Sequence, residues 1–454
     1  MKARRGTRSV AIACAVAAAA IGLGSTAATA QQIDPAVKNV KRVAAPKHCP
    51  TIPGVSETEI RVGSIAPMTG PTSGSGFSRN IIEGIQARFA FANANQETGA
   101  RTLTLIPTDD RGEPAQNLAA AQQLVEQEQV YGVLAESAVG STSAPYLSQH
   151  GVPVVGWPMG LPIYGTYANF FGFQYANTKD VASSYTTRDA VVIDKIGGER
   201  VALVASNTGG GSVFIEQIAA GIKRFGDGLS VAYKTTDIPL GNTEWGSYAQ
   251  QIKDSGADTI YTRLATPDNI GLVNALKQAG APIRNVILAT GYDPRVTNLS
   301  ALDGAYLGIE FKPLETTPAP KGIADFKAAM AQYRPGATVD QAAAAGWLTG
   351  TTFIEGIKAA GVTCPTREGF ISNLRLAKDY TADGFFDPIS FQDVFNKPAL
   401  CNYYVKVDYA TKTFLPQFNS EPVCGDLIKN SKVAAPTAEA SAAPARTPAT
   451  TAGK

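Results

Sequence analysis

The feature that most constrains this chain is a repeated switch in hydrophobic period, from strand-like runs to helix-like faces and back. Glu59–Ala66 (EIRVGSIA) reads as a strand and Ser78–Asn95 as a helix, with Ile81, Ile82, Ile85, Phe89 and Ala92 on one face. A strand Thr102–Pro107, a helix Pro114–Gln127 opened by its proline, a strand Val130–Ala135, a short helix from Ser141 and a strand Val152–Val155 follow. This order implies a parallel sheet wrapped by helices. A second series begins with a helix Val181–Ile196. It continues with strands at Arg200–Ala205, Ser230–Lys234, Thr259–Thr262, Asn285–Ala289 and Ala305–Phe311, and helices at Gly211–Phe225, Trp245–Ser255 and Pro267–Ala279. The expected fold class is therefore α/β, with two doubly wound parallel-sheet lobes. Helices at Gly322–Tyr333, Gln341–Ala360 and Arg367–Leu376, and a hairpin Tyr403–Tyr409/Thr413–Phe418, come too late to build a third sheet. They must return to the two lobes, so the chain crosses between them more than once.

The ends read differently. Met1–Arg8 is basic, Val10–Leu23 apolar, and Ala28-Thr29-Ala30 supplies small residues before Gln31, the anatomy of an export signal cleaved after Ala30. The apolar run before Cys14 is too short for a lipid-modified cysteine. Removing the four basic residues of 1–30 from the total of 40 leaves 36 against 38 acidic ones. A near-neutral exported chain without clustered Lys and Arg is a poor nucleic-acid binder. No apolar stretch long enough to span a bilayer occurs beyond the N-terminus. Residues 31–56 form a polar, Pro-punctuated leader. Residues 430–454, rich in Ala, Pro and Thr, lack the apolar surface needed to offset chain entropy and are expected to be disordered.

Cys49, Cys364, Cys401 and Cys424 remain after cleavage. Four cysteines allow three pairings. Cys401 and Cys424 bracket the hairpin and are the pair favoured here, which leaves Cys49–Cys364. None has C-x-x-C spacing, so no metal site is expected.

In a doubly wound sheet, ligands bind beyond the C-terminal strand ends. Five loops qualify. Pro67–Gly76 offers Thr69 and Ser75. Glu136–Ser143 offers Ser137, Ser141 and Thr142. Gly156–Leu161 offers Trp157, Met159 and Gly160. Ser206–Ser212 offers Asn207, Thr208 and Gly210, and Thr290–Pro294 offers Thr290, Tyr292 and Asp293. Tyr261 ends a strand nearby. Trp157, Tyr261 and Tyr292 read either as packing residues or as cleft walls, and Asp293 either as a helix cap or as a ligand anchor. Enzymatic readings fare poorly. The glycine run 209–211 lacks the Lys-Ser/Thr of a phosphate loop, Gly74-Ser75-Gly76 does not complete a dinucleotide fingerprint, and no G-x-S-x-G occurs. Two histidines, His48 and His150, leave little for a Ser-His triad. Asp109-Asp110 reads as a pair bracketing a turn. No cofactor and no catalytic residue are expected.

The segments EIRVGSIAPMTGPTSGSG, TLIPTDDRGEPAQNLAAAQQLV, VPVVGWPMG and ADTIYTRLATPDNIGLVNALKQAG resemble type I periplasmic solute-binding proteins, nearest the Leu/Ile/Val-binding branch serving ABC importers. The likeness runs over roughly residues 57–418. It implies two lobes joined by three crossing segments and closing on a ligand, with lobe I at about 57–174 plus 312–392 and lobe II at about 175–311 plus 393–429. Each favoured disulfide then lies within one lobe. The resemblance also implies a monomer that carries a small molecule to a membrane ABC permease, or, alternatively, a sensor that signals to a membrane partner. Amino-acid binders of this family hold the ligand carboxylate on lobe I hydroxyls and N–H groups, and the ammonium on a lobe II acid. Here Val139 stands nearest the expected serine, Met159-Gly160-Leu161 replaces a small residue and a threonine, and Asp293 is displaced from the expected acid near Thr290 or Gly291. These departures extend the expected ligands to aromatic or carboxylated compounds and amides.

Overall fold

The computed structural model describes residues 39–70, 76–174, 185–207, 211–226, 228–239 and 241–428. The export signal, Cys14, the first part of the leader, the tail from residue 430, and the candidate residues Ser75, Thr208 and Gly210 lie outside them.

The first sheet is built from β1 (Glu59–Ala66), β2 (Thr102–Asp109), β3 (Gly132–Ala135), β4 (Val154–Gly156) and β5 (Phe170–Gly172), all parallel, in the order β2-β1-β3-β4-β5. β1 is central: Val62 faces Leu105 on one side and Gly132 on the other. Its near-continuous burial explains why it reads as an apolar run rather than an alternation. The connecting helices are α1 (Phe77–Ala94), α2 (Pro114–Gln122) and α3 (Ala144–Gln149). α2 ends in a π-helical turn, Gln123–Gln127. β5 carries no periodic signal; it is three buried residues shaped by the neighbouring strand.

The segment expected as a helix from Val181 departs from that reading. Its part up to residue 184 lies outside the described residues. β6 (Tyr185–Thr186) is extended and pairs with β15 (Leu427–Ile428), so the helix α4 starts only at Arg188 (Arg188–Lys195). The cause is tertiary: Thr187 exchanges backbone and side-chain hydrogen bonds with Asp426, at 3.0 and 2.8 Å. The second sheet then forms from β7 (Arg200–Ser206), β8 (Ser230–Ile238), β9 (Thr259–Arg263), β10 (Asn285–Leu288) and β11 (Tyr306–Ile309). They are joined through α5 (Gly211–Phe225), α6 (Gly246–Asp254) and α7 (Thr266–Ala279). These five run in the order β11-β10-β9-β7-β8.

After β11 the chain returns to the first sheet through α8 (Lys321–Tyr333), α9 (Gln341–Ala360) and α10 (Arg367–Arg375). It then ends on the second sheet as β12 (Cys401–Asp408) and β13 (Thr413–Pro416), antiparallel to their neighbours, with a short β14 (Val423–Cys424). Cores lie on both faces of each sheet. Helices α1 and α9 touch backbone to backbone. A Cβ on Gly84 would stand 2.0 Å from the Ala343 carbonyl oxygen, and one on Gly346 would stand 2.0 Å from that of Ile81. Cys401 and Cys424 face each other across β12 and β14 and are bonded, with Cα atoms 4.0 Å apart; Cys49 and Cys364 are bonded at 5.5 Å. The second bridge fastens the leader to the α9–α10 corner, where Val43 also exchanges two hydrogen bonds with Asn373. Among the described residues, no helix is long and apolar enough to cross a membrane.

Candidate functional site

The C-terminal ends of strands from both sheets open onto one cavity of about 920 Å³, within the range of about 300–1,000 Å³ typical of small-molecule sites. Three elements of the first-sheet side supply its wall: the start of α1 with Phe77, the loop after β3 with Ala138, and the loop after β4 with Trp157, Met159 and Gly160. The second sheet supplies Arg188 and Asp189 at the start of α4, Phe214 from α5, Tyr261 and Arg263 from β9, and Thr290 to Asp293 after β10. Glu310 after β11 and Gln341 at the start of α9 complete it.

Seven of the residues singled out from the sequence therefore line one cavity: Trp157, Met159, Gly160, Tyr261, Thr290, Tyr292 and Asp293. Trp157 is both a packing residue and a wall. It is 7% exposed, stacked on Phe77 at 5.4 Å between ring centroids and tilted against Phe173 at 6.4 Å. Met159 and Gly160 turn the chain with positive φ (45° and 83°), which costs glycine little and methionine more. The tyrosines present rings, because their hydroxyls are engaged. Tyr261 donates to Asp189 Oδ1 at 2.9 Å, and Tyr292 donates to Glu315 at 2.5 Å while accepting from the Leu314 N–H at 2.8 Å. Thr290 donates its hydroxyl to the Leu264 carbonyl at 2.9 Å, tying the β9 and β10 loops together. Asp293 does cap a short 3₁₀ turn, accepting from the Arg295 N–H at 2.8 Å, and it pairs with the Arg295 guanidinium.

Five other candidates do not line the cavity. The exposed Thr69 bonds Asp109, which also collects the N–H groups of Met68 and Arg111. Asp109 and Asp110 thus bracket a turn, Asp110 holding Gly112 and Asn117. Ser137 is buried and its oxygen accepts from the Val139 N–H at 3.4 Å. Ser141 and Thr142 are exposed in the turn before α3, and Asn207 is exposed, its N–H donating to Ile238 at the end of β8. Thr69 and Ser137 thus serve the geometry of the turns around them.

Several lining residues escaped the sequence reading. Arg188 and Asp189 fell inside an assumed helix. Arg263 and Glu310 did carry a signal: Arg263 is the last residue of β9 and Glu310 directly follows β11, charged residues where a strand ends, which suggests something polar beyond them. Arg188 pairs with Asp189 at 3.1 Å and reaches the Ala399 carbonyl at 3.1 Å. Glu310 accepts from Gln341 Nε2 at 2.9 Å, and burial pushes its pKa up. Asp340, which caps α9 and accepts from Asn80 at 2.6 Å, is pushed by burial to about 6. Glu136, 1% exposed behind the loop of Trp157, accepts from the Trp157 N–H at 3.3 Å; burial raises its pKa to about 8. Among the described residues, no group of three or more His, Cys, Asp or Glu is placed to hold a metal ion. The cavity combines stacked aromatic surface with hydrogen-bonding groups tied down by their neighbours, an arrangement suited to enclosing a solute.

A family model of periplasmic binding proteins matches residues 59–413. The chain belongs to the periplasmic binding protein family. Solved structures of the family share its fold. A solute-binding protein of an ABC transporter from R. palustris, in complex with 4-hydroxybenzoate, is 22% identical with a TM-score of 0.62, covering 82% of this chain and 97% of that one. A leucine-binding protein from Thermotoga maritima is 17% identical with a TM-score of 0.63, covering 80% and 99%. A fatty acid ABC transporter substrate-binding protein from Thermomonospora curvata is 17% identical with a TM-score of 0.65, covering 83% and 95%. No curated protein sequence gives a significant match. The family fold thus serves guests of quite different chemistry, and the lining residues, not the fold, must set the guest here.

Proposed function

We propose that this chain is the extracytoplasmic solute-binding component of an ABC importer. It captures a small organic molecule, an amino acid or a related organic acid or amide, between two lobes and carries it to a membrane permease without making or breaking a bond. In this reading the signal is cleaved after Ala30, residues 57–174 with 312–392 form lobe I, and residues 175–311 with 393–429 form lobe II. The observation that carries it is the cavity walled by strand ends of both sheets, with Trp157 on one side and Tyr261, Thr290, Tyr292 and Asp293 on the other. Three connections cross between the sheets, which is the geometry a hinge requires. The structural relatives, whose guests include a benzoate and leucine, support the same role.

A ligand that binds the native but not the unfolded chain raises thermal stability by mass action. A thermal-shift screen of ligand-stripped protein against amino acids, aromatic acids, fatty acids and amides is expected to yield at least one compound that raises the melting midpoint by several degrees. A broad screen without a hit would count decisively against the proposal.

A further inference from the structure

The charges around the cavity narrow the chemical class of the guest. Among the described residues of the second sheet and its loops, three guanidinium groups line it, Arg188, Arg263 and Arg295, with two carboxylates, Asp189 and Asp293. Asp189 is engaged by Arg188 and by the Tyr261 hydroxyl, and Asp293 by Arg295. Arg263, the last residue of β9, lies with its guanidinium carbon 4.9 Å from the centroid of the Phe214 ring. Such stacking holds the guanidinium plane in place at little entropic cost.

The two remaining lining carboxyls are poor receptors for a cation. Glu310 accepts from Gln341, Asp340 accepts from Asn80 and from the Ala343 N–H at 2.8 Å, and burial pushes both toward the neutral form. The apolar part of the lining is largely aromatic, with Phe77 stacked on Trp157 from one sheet and Phe214 beneath Arg263 from the other.

We infer that the guest is an aromatic monocarboxylate, its carboxylate received by Arg263 and its ring packed between Trp157 and Phe214. This rests on the solute-binding reading and assigns that same cavity its substrate class. A planar guanidinium offers a carboxylate two parallel N–H donors, and the aromatic pairs offer a ring offset or edge-on contacts.

The test compares head groups on one body by isothermal titration calorimetry of the ligand-stripped chain, with benzoate, 3-phenylpropionate, benzamide, benzylamine, L-phenylalanine and L-leucine as probes. Wild type is expected to bind an aromatic acid and to discriminate against benzamide and benzylamine. Arg263→Gln is expected to weaken the acid by about ten- to a hundred-fold, the size of a lost charged hydrogen bond. It should bring acid and amide to similar affinity with an unchanged circular dichroism spectrum. Arg263→Lys, which keeps the charge but loses the fork, is expected to fall between. Benzamide or benzylamine binding as tightly as benzoate, or L-leucine binding in preference to every acid, overturns the inference and leaves the solute-binding reading standing. So does an Arg263→Gln protein that is folded and binds the acid undiminished. The head-group comparison on wild type needs no variant, so a misfolded substitution does not shield the inference. Silence from all six probes together with the wider screen brings down both.

Discussion

Replacing Glu136 by Gln should stabilise the protein, by an amount that grows with pH. Glu136 follows β3, is 1% exposed, and holds the Trp157 N–H on Oε2, with the Thr349 hydroxyl beside it. Burial raises its pKa from 4.5 to about 8, with Thr349 and the Trp157 N–H easing the shift. The folded state therefore retains a proton that the unfolded chain has lost between those two values. Stability from this group is fully present below pH 4.5, falls as pH rises toward 8, and is flat beyond. At about 1.4 kcal/mol per pKa unit, the loss reaches roughly 3 kcal/mol by pH 7 and roughly 5 kcal/mol at pH 9. Gln keeps the acceptor for Trp157, supplies a donor near the Thr349 oxygen, and titrates in neither state. Urea unfolding of wild type and Glu136→Gln at pH 4, 7 and 9 isolates the term, because every other titrating group cancels in the difference. The two proteins should match closely at pH 4 and separate progressively above it. A difference that stays constant from pH 4 to pH 9, or wild type gaining on the variant as pH rises, refutes the argument that Glu136 is protonated in the folded chain.

The other predictions are simpler. Trp157→Ala is expected to weaken the bound solute by at least about ten-fold in calorimetry, since it removes a large stacked surface, with little change in the fold. Gly346→Ala forces a methyl group against the Ile81 carbonyl; it should cost roughly 1–3 kcal/mol or more, seen as a lower urea midpoint. Replacing both Cys401 and Cys424 by Ser opens a loop of 23 residues and should cost roughly 3 kcal/mol, read as a lower melting temperature than wild type under oxidising conditions.

Elements whose local pattern and tertiary role agree were legible from sequence. β1, α5 and α9 fall where the periodicity places them, because each is long and its apolar face is the face it buries. Elements made by partners were not. β5 exists because β4 lies beside it, and the start of α4 is delayed because Thr187 bonds a residue 239 positions away. The same distinction runs through the candidate site. Aromatics near the C-terminal ends of strands, Trp157, Tyr261 and Tyr292, line the cavity, since a large ring there has few other places to go. Small hydroxyl residues do not declare themselves: Ser137, Ser141 and Thr142 satisfy or expose themselves locally. Arg188 and Arg263 needed the fold to bring the two sheets together before they belonged to one wall.

The close contact of α1 with α9 has a bearing on how the chain is made. Asn80 on α1 and Asp340 at the head of α9 meet across 260 residues, and Gly84 and Gly346 seat the two helices against each other. The first sheet emerges early from the ribosome, but α8, α9 and α10, which help cover one of its faces, are translated only after five strands of the second sheet. Until they arrive, that apolar face is covered by α1 alone, so the early strands must wait in an unfinished state or in the care of a chaperone. A fragment ending before residue 340 should behave as a sticky, proteolysed intermediate rather than as half of a protein.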